Sequence, residues 1–438
     1  MKTNTLFPKL IIAVLLLIVS GTKALAQHDS DELIRLLLRK KLIAQSDADS
    51  LYAKEKQQSR QDETNEKENK KHGGKVWGLV YADAIYKAHA DSAKRGNLQY
   101  SAQSKDSSGF DFRRIYLGYN FAISGRFATE FILSNESETD VLPSGNRSVF
   151  VKSANLRWRN IFPLADLVIG LAATPTLTYV GDREGAVWSY RSVERSISDQ
   201  RKMGLSSDAG VLLQGKFNKQ ETFGYNFMLG NGSGAKPEND KFKKFYAEIY
   251  GRFWNKHLLF DLYGDYERGR LSPYQQAKTT FKATLAFQAR GFTLGAELVQ
   301  QGQQNNTIYT EAKAGEPNAI GTKKDTVSAL AFGVSVFSIA TILKEKLLIF
   351  ARCDYFNPDL MFSNKNFYGS AYTGNTVQKY FTAGLDYLPE SNIHIIPNIW
   401  YDGFLAASDA YNNVRPLSLF HQDYDLVYRI TVSYVFNR

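Results

Sequence analysis

Arg114-Ile-Tyr-Leu-Gly-Tyr-Asn-Phe-Ala-Ile-Ser-Gly-Arg-Phe-Ala-Thr-Glu-Phe-Ile-Leu133 is the stretch that decides the fold. Ile115, Leu117, Tyr119 and Phe121 alternate with Arg114, Tyr116, Gly118 and Asn120; a tight turn falls at Ser124-Gly125, and Phe127, Thr129, Phe131 and Leu133 resume the pattern. Successive side chains of a strand point to opposite faces, so this is a hairpin with one aromatic, apolar face and one polar face. A second hairpin repeats it. Phe281, Ala283, Leu285, Phe287 and Ala289 alternate with Lys282, Thr284, Gln288 and Arg290, and Phe292, Leu294, Ala296 and Leu298 follow Gly291. One face suits lipid and the other water.

Outward from these hairpins, residues 75–438 break into aromatic-rich segments of roughly ten residues, the length and pattern of membrane-crossing strands. A soluble sandwich also alternates. Connection lengths separate the two. Short turns at Ser124-Gly125, Trp254 to His257, Leu343 to Lys346 and Leu388 to Ser391 interleave with long polar loops at 135–147, 230–241, 300–325, 357–377 and 403–421. Short turns on one rim and long loops on the other belong to an outer-membrane barrel. The sequence therefore predicts an all-β transmembrane barrel of about 16 antiparallel strands, preceded by a short α-helical segment and wide enough for an aqueous channel. The last strand, with Tyr428, Ile430, Val432, Tyr434 and Phe436 outward and Arg429, Thr431 and Ser433 inward, is expected to close against the first.

Upstream, Met1-Lys2, the apolar run Leu10 to Val19 and the small-residue ending Ala24-x-Ala26 read as a signal peptide over residues 1–26. That run is shorter than the ~20 residues a spanning helix needs, and no later segment comes closer, which leaves strands as the means of crossing a bilayer. Residues 27–74 read as a periplasmic helical segment and tether. Leu33, Ile34, Leu37, Leu38 and Leu42 form one stripe, Ser46-Asp-Ala-Asp49 begins a second helix, and 54–71 is almost wholly polar. The barrel domain is then 75–438.

The formal charge is +10, of which Lys2, Lys9 and Lys23 in the leader supply three, leaving +7. Residues 27–74 hold ten basic and ten acidic residues, so the whole surplus lies in the barrel. No clustered basic stripe or RNA-binding signature accompanies it, and nucleic acid is not an expected partner. The single cysteine, Cys353, excludes an internal disulfide framework and lies in a strand pattern as an inert side chain. His28, His72, His89, His257, His394 and His421 form no metal-ligand spacing, no Gly-x-Ser-x-Gly elbow occurs, and Gly230-Asn-Gly-Ser-Gly234 lacks the Lys-Ser/Thr of a phosphate loop. No enzyme activity, metal or cofactor is expected.

Several stretches resemble the phosphate-selective porin O and P family of outer-membrane channels: Phe110-Asp-Phe-Arg-Arg-Ile-Tyr-Leu-Gly-Tyr119 with its hairpin, Trp188-Ser-Tyr-Arg-Ser-Val-Glu-Arg195, Asn231-Gly-Ser-Gly234 and the aromatic C-terminal strand. Leu36-Leu-Leu-Arg-Lys-Lys-Leu-Ile-Ala-Gln-Ser-Asp-Ala-Asp-Ser-Leu51 looks like a helical hairpin module placed before such barrels. The resemblance implies sixteen strands and a connection, 174–207, that folds into the lumen and narrows it. Its basic residues Arg183, Arg191, Arg195, Arg201 and Lys202 are the candidate constriction charges, mixed with Asp182, Glu184, Glu194 and Asp199; the alternative is a solvated loop whose nearly balanced charges pair with each other. Two departures stand out. The lumen-facing basic candidates Arg114, Lys216, Arg252, Lys282, Arg290, Arg352 and Arg429 are offset by Glu248, Asp261, Asp265, Glu297 and Asp354, so phosphate specificity is not implied. The chain also ends Phe436-Asn-Arg438 rather than on an aromatic residue.

These features point to a porin of a Gram-negative-type outer membrane, passing small hydrophilic solutes and preferring anions. The rival is a surface-exposed binding or adhesion barrel, with a barrel hydrolase third. Expected partners are outer-membrane lipid, small solutes, the barrel assembly machinery and further copies of the chain in a homotrimer. A closed barrel pairs every backbone group of its wall, so the mature protein should migrate differently on a denaturing gel before and after boiling. Identical migration, with extraction into detergent-free buffer, would return the sandwich to first place.

Overall fold

The computed structural model describes residues 73–437 except 93, 97, 137–140, 181–185, 219, 221, 270–274, 314–315, 362–365, 369–375 and 406–421, with backbone alone at 306–325, 327 and 366–368. The proposed leader and helical segment fall outside these residues. The described strands are β1 (Gly74–His89), β2 (Ser108–Ala122), β3 (Phe127–Asn135), β4 (Phe150–Phe162), β5 (Ala165–Ala173), β6 (Ser207–Lys216), β7 (Phe223–Gly230), β8 (Lys244–Phe253) and β9 (Leu258–Arg268). They continue as β10 (Ala277–Ala289), β11 (Phe292–Lys313), β12 (Glu316–Leu343), β13 (Leu347–Asn357), β14 (Asn366–Tyr368), β15 (Gln378–Glu390), β16 (Ile393–Phe404) and β17 (Asp423–Phe436).

Each strand bonds antiparallel to the next, with β13 passing β14 to reach β15, and β17 bonds to β1 from Gly78↔Phe436 to His89↔Leu426. Sixteen strands thus close a ring, and the three-residue β14 adds only an edge to β11 at Tyr309↔Tyr368. Closure removes both sheet edges. Because strands alternate in direction, the connections 123–126, 163–164, 217–222, 254–257, 290–291, 344–346 and 391–392 share one rim, and the longer ones share the other.

The alternation sorts the two faces. Leu117, Phe281, Leu285, Leu294, Tyr428 and Ile430 are exposed on the outer wall, where lipid would cover them, and Lys282, Thr284, Arg429 and Thr431 are buried within. Cys353 lies on the outer face between buried Arg352 and Asp354. Three local expectations change. Residues 300–325 are mostly paired strand, a β11–β12 hairpin that outruns its neighbours, since pairing continues beyond Gln303↔Ala329 to Lys313↔Glu316. The turn after β15 is 391–392, because that strand runs through Glu390. Arg290 is not on a strand facing the lumen: it sits exposed in the two-residue turn before Gly291, at φ 43°.

A bulge in β2 redirects a charge. Tyr81 opposes Arg114 and Ala82 opposes Phe112, so Arg113 is the extra residue and both arginines are buried. Five residues along, Gly118 lies opposite Trp77, whose ring would be 2.1 Å from an added Cβ. Gly118→Val should therefore destabilise the barrel by about 1–3 kcal/mol through overpacking. Urea unfolding in lipid vesicles measures this; unchanged stability would mean that Trp77 is free to swing away.

Candidate functional site: the lumen and its inserted segment

The connection between β5 and β6 is built like a small core turned inside out. Leu177, Val180, Val187, Trp188, Tyr190 and Val193 pack on Leu259, Ala286, Phe337, Ile339, Phe350 and Ile396, which are apolar residues on the inner wall. Tyr190 stacks on Phe350 with ring centroids 4.2 Å apart. Further along, Ile197 and Met203 pack on Val299, Ala331 and Phe356. The segment contains a turn of 3₁₀ helix at Pro175–Leu177 and one turn of α-helix, α1 (Ile197–Gln200), so most of its backbone carbonyls need partners from elsewhere.

Wall cations supply several of them, and the neutral Thr280 and Gln301 donate to the Met203 carbonyl. Lys282 donates to the Thr176 carbonyl at 2.7 Å, Arg429 to the Val193 carbonyl at 3.0 Å, Arg113 to the Arg191 and Ser192 carbonyls, and Arg352 to the Arg195 carbonyl. Each is also held by an acceptor on the wall. Lys282 pairs with Asp261 at 2.8 Å, Arg113 with Asp83 at 2.8 Å and Arg352 with Asp354 at 2.9 Å, while Arg429 donates to Asn398 at 2.9 Å. In the other direction Trp400 donates to the Glu194 carboxylate at 3.2 Å, and the Ser198 N–H donates to Glu297 at 3.2 Å.

The candidate constriction charges separate into three groups. Arg191 is buried and pairs with Asp199 at 2.6 Å; Arg201 is fully buried, 3.7 Å from Asp402 and stacked on Phe356. Arg195 is partly exposed, 3.8 Å from Glu194, and Lys202 is exposed. Arg183 lies outside the described residues. Burial alone raises the Asp199 carboxyl, but Arg191, then Arg195 and Arg114, hold it below the ordinary carboxylate range. A depressed carboxyl stabilises the fold above its unfolded value of about 3.9 and loses that contribution only as pH falls through its lower folded value, so this pair persists at mildly acid pH. Among the lumen-facing candidates, Arg114 is buried against the rings of Tyr81 and Tyr116, and Lys216 lies 4.8 Å from the Tyr250 ring centroid. Arg252 donates to Gln288 at 3.0 Å.

A second connection, 90–107, also turns inward. Leu98 and Tyr100 pack with Ile85, Tyr380, Trp400 and Val427, Tyr100 donates to Asp83 at 2.8 Å, and Lys87 donates to the Tyr100 and Ser101 carbonyls. With two segments laid against β8–β17 and β1, the partly exposed inner side chains gather on β2–β6: Glu130, Lys152, Asn155, Arg157, Arg159, Asp166 and Gln214. A cavity of about 570 Å³ opens there toward the short-turn rim, lined by Lys75, Asn120, Glu130, Asn155, Arg157, Arg159 and Gln214 among others. The sequence reading singled out none of these cations. Their signal was the same alternation, in Asn155, Arg157 and Arg159, but a register shift at Ile132/Leu133 brings Lys152 inside as well.

The glycine-rich Asn231-Gly-Ser-Gly234 serves the wall. Its Gly232 and Gly234 N–H groups, with the Tyr246 hydroxyl, donate to the buried Asp208 carboxylate at 2.7, 3.1 and 2.8 Å, so an internal carboxylate occupies the place of a phosphate. His394 is 2.9 Å from Asp386, which also accepts from Tyr190 at 3.0 Å; this ties the rim to the inserted segment. No group of three or more metal-ligating side chains occurs among the described residues.

This architecture is similar to that of many solved structures. DcaP of Acinetobacter baumannii matches at TM-score 0.56 and 11% identity over 83% of this chain and 97% of that one. An anion-selective porin from Comamonas acidovorans matches at 0.53 and 8% over 83% and 100%, and OprB of Pseudomonas putida at 0.53 and 9% over 85% and 96%. No family model and no curated protein matches the sequence. The chain has the barrel fold of outer-membrane porins.

Removing a clamp isolates its role. Arg352→Met leaves the Arg195 carbonyl and Asp354 without their donor, a loss of about 2–4 kcal/mol in segment docking. Limited proteolysis should then cut at Arg195 or Arg201 in intact barrels and leave those two bonds of the wild type uncut. Equal resistance would show that the apolar contacts alone hold the segment.

Proposed function

We propose that the chain is an outer-membrane porin, a water-filled channel for passive diffusion of small hydrophilic solutes, and not an enzyme. The observation that carries it is the inserted 174–206 connection, which covers one side of a closed barrel and leaves a polar, water-reached strip on the other. Residues 1–26 act as its leader and 27–74 as a periplasmic segment ahead of the barrel at 75–438. The finer kinship with the phosphate-selective porin O and P family rests on the motifs at Phe110, Trp188 and Asn231 and on the aromatic C-terminal strand; the Trp188 motif forms part of the inserted segment.

Anion preference is supported by the balance along the strip, where Lys75, Arg157 and Arg159 face Glu130 and Asp166, while Lys152 is held by Glu136. A positive local potential raises the local anion concentration. The buried, paired cations contribute little, because each is matched by a nearby carboxylate or carbonyl. Reversal potentials across a planar bilayer in a potassium chloride gradient should report anion preference, and Arg157→Glu with Arg159→Glu should shift it toward cations. A cation-selective wild type would overturn the anion assignment, and a protein that inserts without conducting would overturn the channel itself in favour of the surface-binding barrel.

A further inference from the structure

Many cations of the inner wall are buried against a carboxylate, and two of those that line the cavity on β2–β6 are not. Elsewhere on the inner wall, Lys87, Arg113, Lys244, Lys282 and Arg352 are each within 4 Å of a carboxylate and buried. Of the three cations that line the cavity, Arg157 pairs with Asp166 at 3.2 Å, while Lys75 and Arg159 have no carboxylate that close among the described residues. Unpaired cations facing a water-filled recess are free to receive an oxyanion, and a guanidinium does so through paired hydrogen bonds.

The other lining groups are neutral and amide-rich. Asn120 and Gln214 make no side-chain hydrogen bond among the described residues, and Asn155 uses its amide nitrogen on Ser153 at 2.8 Å. Amides both donate and accept, as sugar hydroxyls do, whereas a bare inorganic anion can use only their N–H groups. A volume of about 570 Å³ leaves room for a monosaccharide with its bridging waters. Glu130 disfavours a second negative charge.

We propose that this recess is a binding site for a singly charged, polyhydroxylated carboxylate of sugar-acid type, with Arg159 and Lys75 taking the carboxylate and Asn120, Asn155 and Gln214 the hydroxyls. The assignment rests on the channel reading above and adds a solute class to it. The site acts as a weak stopping point near the short-turn rim, tight enough to favour entry and loose enough to release.

Calorimetric titration of the full-length protein in detergent at low salt, with glucuronate, acetate and glucose as probes, tests it beside bilayer recordings with the same solutes. Glucuronate should bind at least about fivefold more tightly than acetate or glucose and should interrupt the chloride current. Arg159→Ala with Lys75→Ala should weaken glucuronate roughly tenfold, as loss of a charge-assisted contact does. Lys344→Ala, in an exposed turn on the same rim, should not. Equal binding of glucuronate and acetate, or binding indifferent to the double substitution, overturns the site while a conducting channel stands. Intact glucuronate binding in a protein that carries no current overturns the channel and keeps the site.

Discussion

A peptide segment that leaves the wall and lies inside the barrel has no neighbouring strand to bond, and its carbonyls must find donors on whatever surface it meets. Here that surface is cationic. Lys282, Arg113, Arg429 and Arg352 reach Thr176, Arg191 with Ser192, Val193 and Arg195 in sequence order, a series of contacts along one side of the segment. Charged donors make the stronger of these bonds, because a neutral group loses most of its advantage against water; only at the Met203 carbonyl do neutral wall donors, Thr280 and Gln301, serve among the described contacts. The carboxylates that hold Lys282, Arg113 and Arg352 offset the cost of taking those cations from water, and the inner wall therefore reads as mixed in sign.

The fold was legible because the barrel imposes a period of two that no local preference can override. A strand between lipid and water must alternate, so Ile115, Leu117 and Tyr119 could be assigned a face from their spacing alone. The same rule hid the bulge at Arg113. One extra residue puts two successive side chains inside, and nothing in Phe-Arg-Arg-Ile marks which arginine is extra. Arg290 failed for the opposite reason: the alternation was carried one residue past the strand, into a turn that bends the backbone to positive φ.

The inserted segment was visible as an overlong connection, but its footing was not. Phe337, Phe350, Ile396 and Trp400 are large apolar residues on the face that alternation assigns to water. Each is an exception to the pattern, and together they mark where a segment covers the wall. The acidic and basic lumen residues were likewise found one at a time without their partners. Arg352 and Asp354 are two apart on one strand and could have been paired by eye, whereas Arg113 with Asp83 and Arg191 with Asp199 depend on strand register and on the path of the segment.

That distinction decides how net charge should be used for such a barrel. A surplus of seven positive charges suggests an anion channel, yet a cation held against a carboxylate leaves only a dipole, whose field falls off faster than that of a lone charge. Screening over roughly 8 Å at physiological salt removes most of what external loops add. The potential along the open strip then depends on a few groups that the wall leaves unpaired, Lys75 and Arg159 among them, against Glu130. Two barrels with equal total charge and opposite selectivity are thus physically admissible, and what separates them is which cations are spent on holding an inserted segment in place.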